Sequence, residues 1–192
     1  MNLEENHRQG NDKAYAEILN RIRTGNQTEE DIAHIEKRVR SKNHPDLKDK
    51  DTNYLFGKNK PVDEMNEKRL LKMKGEEFRI KAKCLHNTIK DFKPPVSKTG
   101  AINNTPFQAD LRLKIGAKIM LTYNVNTADG LTNGSRGELI AVLKDTHNQV
   151  TKLIIKFENP NLMNREQNKA ILRMFPGGTS IEKVNFGFTL SK

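Results

Sequence analysis

Cys84 and His86, one residue apart, are the side chains whose types and spacing point most directly to metal chemistry. A structural zinc site needs four thiolate or imidazole ligands. The remaining histidines, His7, His34, His44 and His147, are dispersed singly, and the chain has one cysteine. The spacing therefore supports no metal centre, excludes an intramolecular disulfide and suits a reducing compartment. Asp63-Glu64 has the composition of a magnesium-binding and water-activating pair. Asn59 and Pro61 just ahead of it read as a helix cap and first helical position, which places both acids in a helix's first turn. Asn124, Asn126, Asp129 and Gly130 imitate a calcium loop, but Ser135 stands where the bidentate acid belongs. A nucleotide site requires a glycine-rich phosphate loop followed by Lys and Ser or Thr. No G-x-x-x-x-G-K-[ST] is present, and no Ser/His/Asp or Cys/His constellation follows from spacing.

Charge is the chemistry that remains. The 192 residues carry a formal net charge of +10, with a mean hydropathy of -0.79 and a pI near 9.7. The excess is local: Lys68, Arg69, Lys72, Lys74, Arg79, Lys81, Lys83, Lys90, Lys93 and Lys98 face only Glu76, Glu77 and Asp91. Such a balance favours a polyanionic partner, nucleic acid before membrane, with a solvated charged face as the plain alternative. No apolar run approaches a membrane span and the start MNLEENHRQG lacks a signal-peptide core, so the expected location is nucleus or cytosol.

The elements that must position these charges follow from periodicity. Asp12 can cap a helix with Ala14, Tyr15, Ile18, Leu19 and Ile22 on one face, ended by Gly25. Thr28 to Asp31 reads as a capping box for a second helix with the apolar stripe Ile32, Ile35 and Val39. Tyr54-Leu55-Phe56 reads as a buried strand, and Asn59 as the cap of the helix after it. From Lys72 to Asp110 the pattern weakens into a basic, irregular stretch with Pro94-Pro95, Gly100 and Asn103-Asn104. Leu111, Leu113 and Ile115 then alternate with Arg112 and Lys114. After Gly116 alternation resumes through Ile119, Leu121, Tyr123 and Val125, a strand interrupted at a glycine. Asn133-Gly134 predicts a two-residue hairpin turn, and Gly116, Asn133, Gly134 and Gly137 serve backbone geometry. Strands are expected at Leu139–Leu143, Val150–Phe157 and Ile181–Leu190, and a helix over Arg165–Phe175.

The stretch LRLKIGAKIMLTYNVNTADGLTNGSRGEL is similar to the "L-x-L-K-x-G-A-x-V-M-L-x-x-N … G-L-x-N-G-x-x-G" segment of the Pif-like (RecD-related) superfamily-one DNA helicases, Helitron transposon helicases included. Leu111, Leu113, Lys114, Gly116, Ala117, Met120, Leu121, Asn124, Gly130, Leu131, Asn133, Gly134 and Gly137 carry the match in one register. Upstream, LEENHRQGNDKAYAEILNRIRTGNQTEEDI and YLFGKNKPVDEMNEKRL resemble further family segments in the same order. The likeness extends from about Leu3 to Leu143 and is nearest the Helitron-type members.

The resemblance implies an α/β fold: part of a second RecA-like P-loop NTPase lobe with an inserted small SH3-like antiparallel β-barrel. It implies a partial lobe over 1–75, a basic irregular linker over 76–110, the insert over 111–160, and a helix and strand returning toward the lobe over 161–192. The function implied is that of a fragment of an ATP-dependent helicase moving 5′-to-3′ on single-stranded DNA. The intact enzyme would use ATP and Mg2+, with neither bound by this fragment alone, and the missing first RecA-like lobe would be its partner. Arg8 matches the motif IV arginine that reaches the γ-phosphate, a role suited to an always-charged guanidinium fork. Asn59 matches a strand-end position near the DNA backbone, with Lys58 in place of the family's Thr. Lys114, Lys118 and Arg136 are the candidate DNA-phosphate contacts, and no metal ligand is assigned. Tyr123 could stack on bases, although its apolar face favours core packing. The competing expectations are a non-enzymatic basic nucleic-acid-binding module and a decayed transposon fragment. Lacking a phosphate loop, the isolated chain is expected to hydrolyse no ATP.

Overall fold

The computed structural model describes residues 12–41, 43–48, 52–83, 93, 95–97, 100–103, 105–162 and 169–183. The chain divides into two units, Met1–Tyr54 and Leu55–Lys192. Arg8, Cys84, His86 and the expected strand residues beyond 183 lie outside the described residues.

In the first unit, helix α1 spans Lys13–Thr24. Asp12 caps it, its Oδ1 accepting the Tyr15 amide at 3.0 Å, and Gly25 closes it with φ 74. Helix α2, Glu29–Glu36, opens on the expected capping box between Thr28 and Asp31. The apolar stripe expected on α2 is not an inward face: Ile32 is 45% exposed, and Val39 lies past the helix end and is 73% exposed. Instead Asp31, only 3% exposed, turns toward α1, where Arg21 donates to both its oxygens. A single 3-10 turn, Pro45–Lys48, follows, and the Tyr54 hydroxyl donates to the Leu47 carbonyl.

The second unit departs from expectation at its start. Tyr54-Leu55-Phe56 forms no strand, and Leu55 is 96% exposed. A short apolar run carries no periodicity of its own, so only a sheet neighbour makes it a strand. Helix α3 spans Asn59–Lys72, with Lys58 at its N-cap and no side-chain cap bond. Asn59 is thus the first helical residue and not the cap. Pro61 falls two steps deeper than expected, still among the positions whose amides lack helical partners, and Asp63 and Glu64 lie past the first turn.

Strand β1, Glu77–Lys81, occupies part of the expected linker and pairs antiparallel with β2, Asp110–Lys114. Phe78 and Ile80 are its only apolar residues, too few to be read as a strand without the distant partner. The ribbon is two-faced. Glu77, Arg79, Lys81, Asp110, Arg112 and Lys114 share one side, and Phe78, Ile80, Leu111 and Leu113 the other.

After Gly116, φ 83, the chain enters β3, Lys118–Met120, then β4, Arg136–Lys144, and β5, Val150–Phe157. Helix α4, Lys169–Met174, leads to β6, Thr179–Glu182. These four strands form one antiparallel sheet in the order β3-β4-β5-β6. The sheet is open, and with the separate β1-β2 ribbon the described strands make no closed barrel. Within the expected helix Arg165–Phe175, residues 165–168 lie outside the described residues.

Each face of the sheet carries a buried cluster. Leu113, Leu131, Leu139, Ile155 and Phe157 form one core, and Ala141, Ile154 and Ile171 of α4 form another on the reverse face. A register shift between Leu139 and Ala141 lets β4 serve both, since a bulge switches the side toward which successive residues point. Ile154, which breaks the alternation of its strand, is accounted for by α4 above it. Gly137 has another constraint: a Cβ there would meet the Lys156 carbonyl oxygen at 2.6 Å, so β4 and β5 approach too closely for a side chain.

Candidate nucleic-acid interface

The stretch from Leu121 to Ser135 joins β3 to β4 as an ordered loop. Its end is closed by the Leu121 amide donating to Ser135 O at 2.9 Å. Asn133-Gly134 does not form a two-residue hairpin. Gly134 has φ 94, whereas Asn133 is not left-handed, and the Ser135 amide bonds Thr132 O at 3.0 Å. This is the pattern of a type II turn, which requires positive φ only at its third residue. The calcium-like residues bond within the loop: Asn126 Oδ1 accepts the Ala128 amide at 3.0 Å, and its Nδ2 donates to Asp129 at 2.9 Å. Asn124 Oδ1 accepts the Asn133 amide at 2.8 Å. Leu131, 1% exposed, seats the loop in the core.

With that loop fixed, β3 and β4 bring two candidate residues together. Lys118 opposes Glu138, Met120 opposes Arg136, and Glu138 opposes Lys156 on β5. Directly opposed residues share a face, so Lys118, Arg136 and Lys156 stand on one side of the sheet. All three are exposed. Arg136 Nε lies 3.4 Å from Glu158 Oε2, a surface contact that leaves the guanidinium accessible to an anion. Lys156 was not singled out from sequence, because the cross-strand register that aligns it with Lys118 is not local information.

Lys114 lies on the charged side of the β1-β2 ribbon. Its Nζ donates to the Met73 carbonyl at 2.8 Å, at the end of α3. Beside it, Arg112 forms a bridge missed from sequence. It donates to Glu77 at 2.8 and 2.7 Å and to Glu67 of α3 at 2.6 and 2.8 Å. The hydrogen bonds from Arg112 hold Glu77 below the ordinary glutamate range. Those to Glu77 and then Glu67 raise Arg112 further above neutrality. Asn59 is exposed at the opposite end of α3 from Met73, roughly 20 Å away at 1.5 Å per residue. Tyr123 is half-buried against Phe107, ring centroids 5.7 Å apart.

Among the described residues no group of three or more His, Cys, Asp or Glu could hold a metal, and no helix is long and apolar enough to cross a membrane.

Residues 101–142, which contain this loop, β3 and most of β4, match the family model of the DNA helicase Pif1 2B domain. Over 185 residues, 95% of this chain, the sequence is 30% identical to ATP-dependent DNA helicase PIF1 of Xenopus laevis. This sequence is similar to that of the DNA helicase Pif1. It spans 24% of the length of that curated relative. The Pif1-like fold is shared with the crystal structure of Bacteroides sp Pif1 in complex with ADP-AlF4, at TM-score 0.53 and 19% identity, covering 77% of this chain and 29% of that one. It is shared also with Candida albicans Pif1 helicase, at TM-score 0.52 and 22% identity, covering 80% and 36%. In this Pif1-like chain, the motif positions Gly116, Leu131, Asn133, Gly134 and Gly137 map onto corners, core and close strand approach.

Proposed function

We propose that this chain works within an ATP-dependent DNA helicase, where the β3-β4 face holds single-stranded DNA through phosphate contacts from Lys118 and Arg136, joined by Lys156. The observation that carries this reading is the placement of those cations on one side of the sheet, within or beside the region matched to the Pif1 2B domain. Cations that meet only phosphates hold a strand without reading its sequence. Arg8 would reach the γ-phosphate of ATP in the intact enzyme, Asn59 would contact the DNA backbone from the start of α3, and the first RecA-like lobe would complete the ATP and Mg2+ site. Movement in the 5′-to-3′ direction, an SH3-like character for the insert, affinity to the Helitron-type members and action in the nucleus belong to the same proposal.

The test is fluorescence anisotropy of a labelled single-stranded oligonucleotide at low salt. Lys118→Ala with Arg136→Ala is expected to weaken binding at least about tenfold, as the removal of two phosphate-binding cations should. Unchanged affinity would remove the proposed surface.

A further inference from the structure

We propose that Lys114 and Arg112 of β2, with Lys144 of β4, are positioning residues that clamp the Met73–Glu76 connector between α3 and β1 and thereby orient the face carrying Lys118 and Arg136. Only the consequence for DNA rests on the function proposed above.

The connector is where a helix must become a strand. Met73 leaves helical geometry at φ -72, ψ 135, and Gly75 takes φ 106. The β-strands hold it from two sides. Lys114 Nζ donates to Met73 O at 2.8 Å, where the carbonyls at a helix end attract a cation. Lys144 Nζ, 5.0 Å above the Phe78 ring, lies 3.2 Å from Glu76 Oε1. Arg112 spans the connector, gripping Glu67 before it and Glu77 after it. A guanidinium fork can hold two carboxylates in fixed directions, which a lysine cannot reproduce. The Met73 side chain also reaches the corner that follows β2: its Cε lies 3.7 Å from where a Gly116 Cβ would stand.

That corner transmits the restraint. The Gly116 amide donates to Leu139 O at 2.7 Å, and the Leu139 amide to Ala117 O at 3.0 Å. The end of β2 is therefore fixed to β4 immediately before β3 begins. Lys114 and Gly116 are both positions of the helicase-like motif, and the geometry gives them one joint task, holding the end of α3 against the β2-β3 corner. The Arg112 and Lys144 side chains are 27% and 28% exposed, so each bond is partly screened and the clamp works through their combination.

Hydrogen exchange on the whole 192-residue chain tests this, comparing Lys114→Met, Glu67→Gln and Lys114→Arg with the unaltered protein. Lys114→Met and Glu67→Gln should accelerate exchange in peptides covering 70–82 and 110–118 by roughly threefold to tenfold, the effect of removing one charge-assisted hydrogen bond, while β5 is unchanged. Lys114→Arg keeps a donor and should restore slow exchange. Glu67→Gln leaves β2 intact, so it decides the matter even where Lys114→Met perturbs folding. Single-stranded DNA should bind Lys114→Met more weakly with an unaltered salt slope. Unchanged exchange in both variants overturns the clamp. So does a salt slope reduced by about 0.7 in Lys114→Met, which would make Lys114 a phosphate ligand. If Lys118→Ala leaves the slope unchanged, the DNA reading fails while the exchange result still judges the clamp.

Discussion

The Arg21 guanidinium closes on the Asp31 carboxylate through two hydrogen bonds of 2.7 Å, Nε to Oδ2 and Nη2 to Oδ1. Asp31 also accepts the Thr28 amide at 3.0 Å, so one buried carboxylate both caps α2 and joins it to α1. The Arg21 bonds first, and the Thr28 amide after them, hold Asp31 far below the usual carboxylate range. A folded pKa depressed in this way gives stability that is fully present above the unfolded Asp value of about 3.9 and is lost as pH falls below it. Helix α1-α2 amide protection should accordingly stay constant from about pH 8 to about 5 and fall in acid. Asp31→Asn should show the reduced protection at every pH. Acid-independent protection in the unaltered chain would contradict this account.

Ile154 tests the two-sided sheet. It is fully buried and packs with Ala141 and Ile171, so Ile154→Ala should cost about 2–5 kcal/mol and Ile154→Val about 0.5–1.5 kcal/mol by denaturant unfolding. A solvent-facing residue would show neither loss.

Gly137 and Gly134 should fail for different reasons. Ala at Gly137 would press on the Lys156 backbone, an overpacking cost of about 1–3 kcal/mol. At Gly134 nothing lies within 4 Å of the new Cβ, but φ 94 strains any L side chain, at about 1 kcal/mol. Thermal or denaturant melts of the two variants measure both, and equal tolerance at Gly137 would contradict the close strand approach.

Much of this arrangement was legible because it is local. Asp12, Gly25, Thr28 and Asp31 act on neighbours in sequence, and the Gly116 interruption shows in the alternation on either side of it. What was not legible depends on distant partners. β1 becomes a strand only beside β2, Ile154 is buried only because α4 crosses the reverse face, and Lys156 joins Lys118 only through the β4 register. Tyr54-Leu55-Phe56 shows the converse, a run apolar enough for a strand that forms none among the described residues. Of the candidate phosphate residues, Lys118 and Arg136 are exposed, whereas the bond from Lys114 to Met73 crosses a sequence gap that no periodicity spans.

The purified 192-residue chain should release no phosphate from ATP, with or without single-stranded DNA, because it contains no phosphate loop to position the transferred group. Measurable DNA-stimulated hydrolysis by the chain alone would require catalytic groups this account does not contain.

The salt dependence of single-stranded DNA binding tests the central claim most directly. For the unaltered chain, log K should fall linearly with log salt concentration. Changing Lys118 and Arg136 together to Ala should reduce that slope by about 1.4, at roughly 0.7 for each phosphate no longer neutralised. Affinity independent of salt, or a slope unchanged in the double variant, would contradict the assignment of the β3-β4 face to the DNA path.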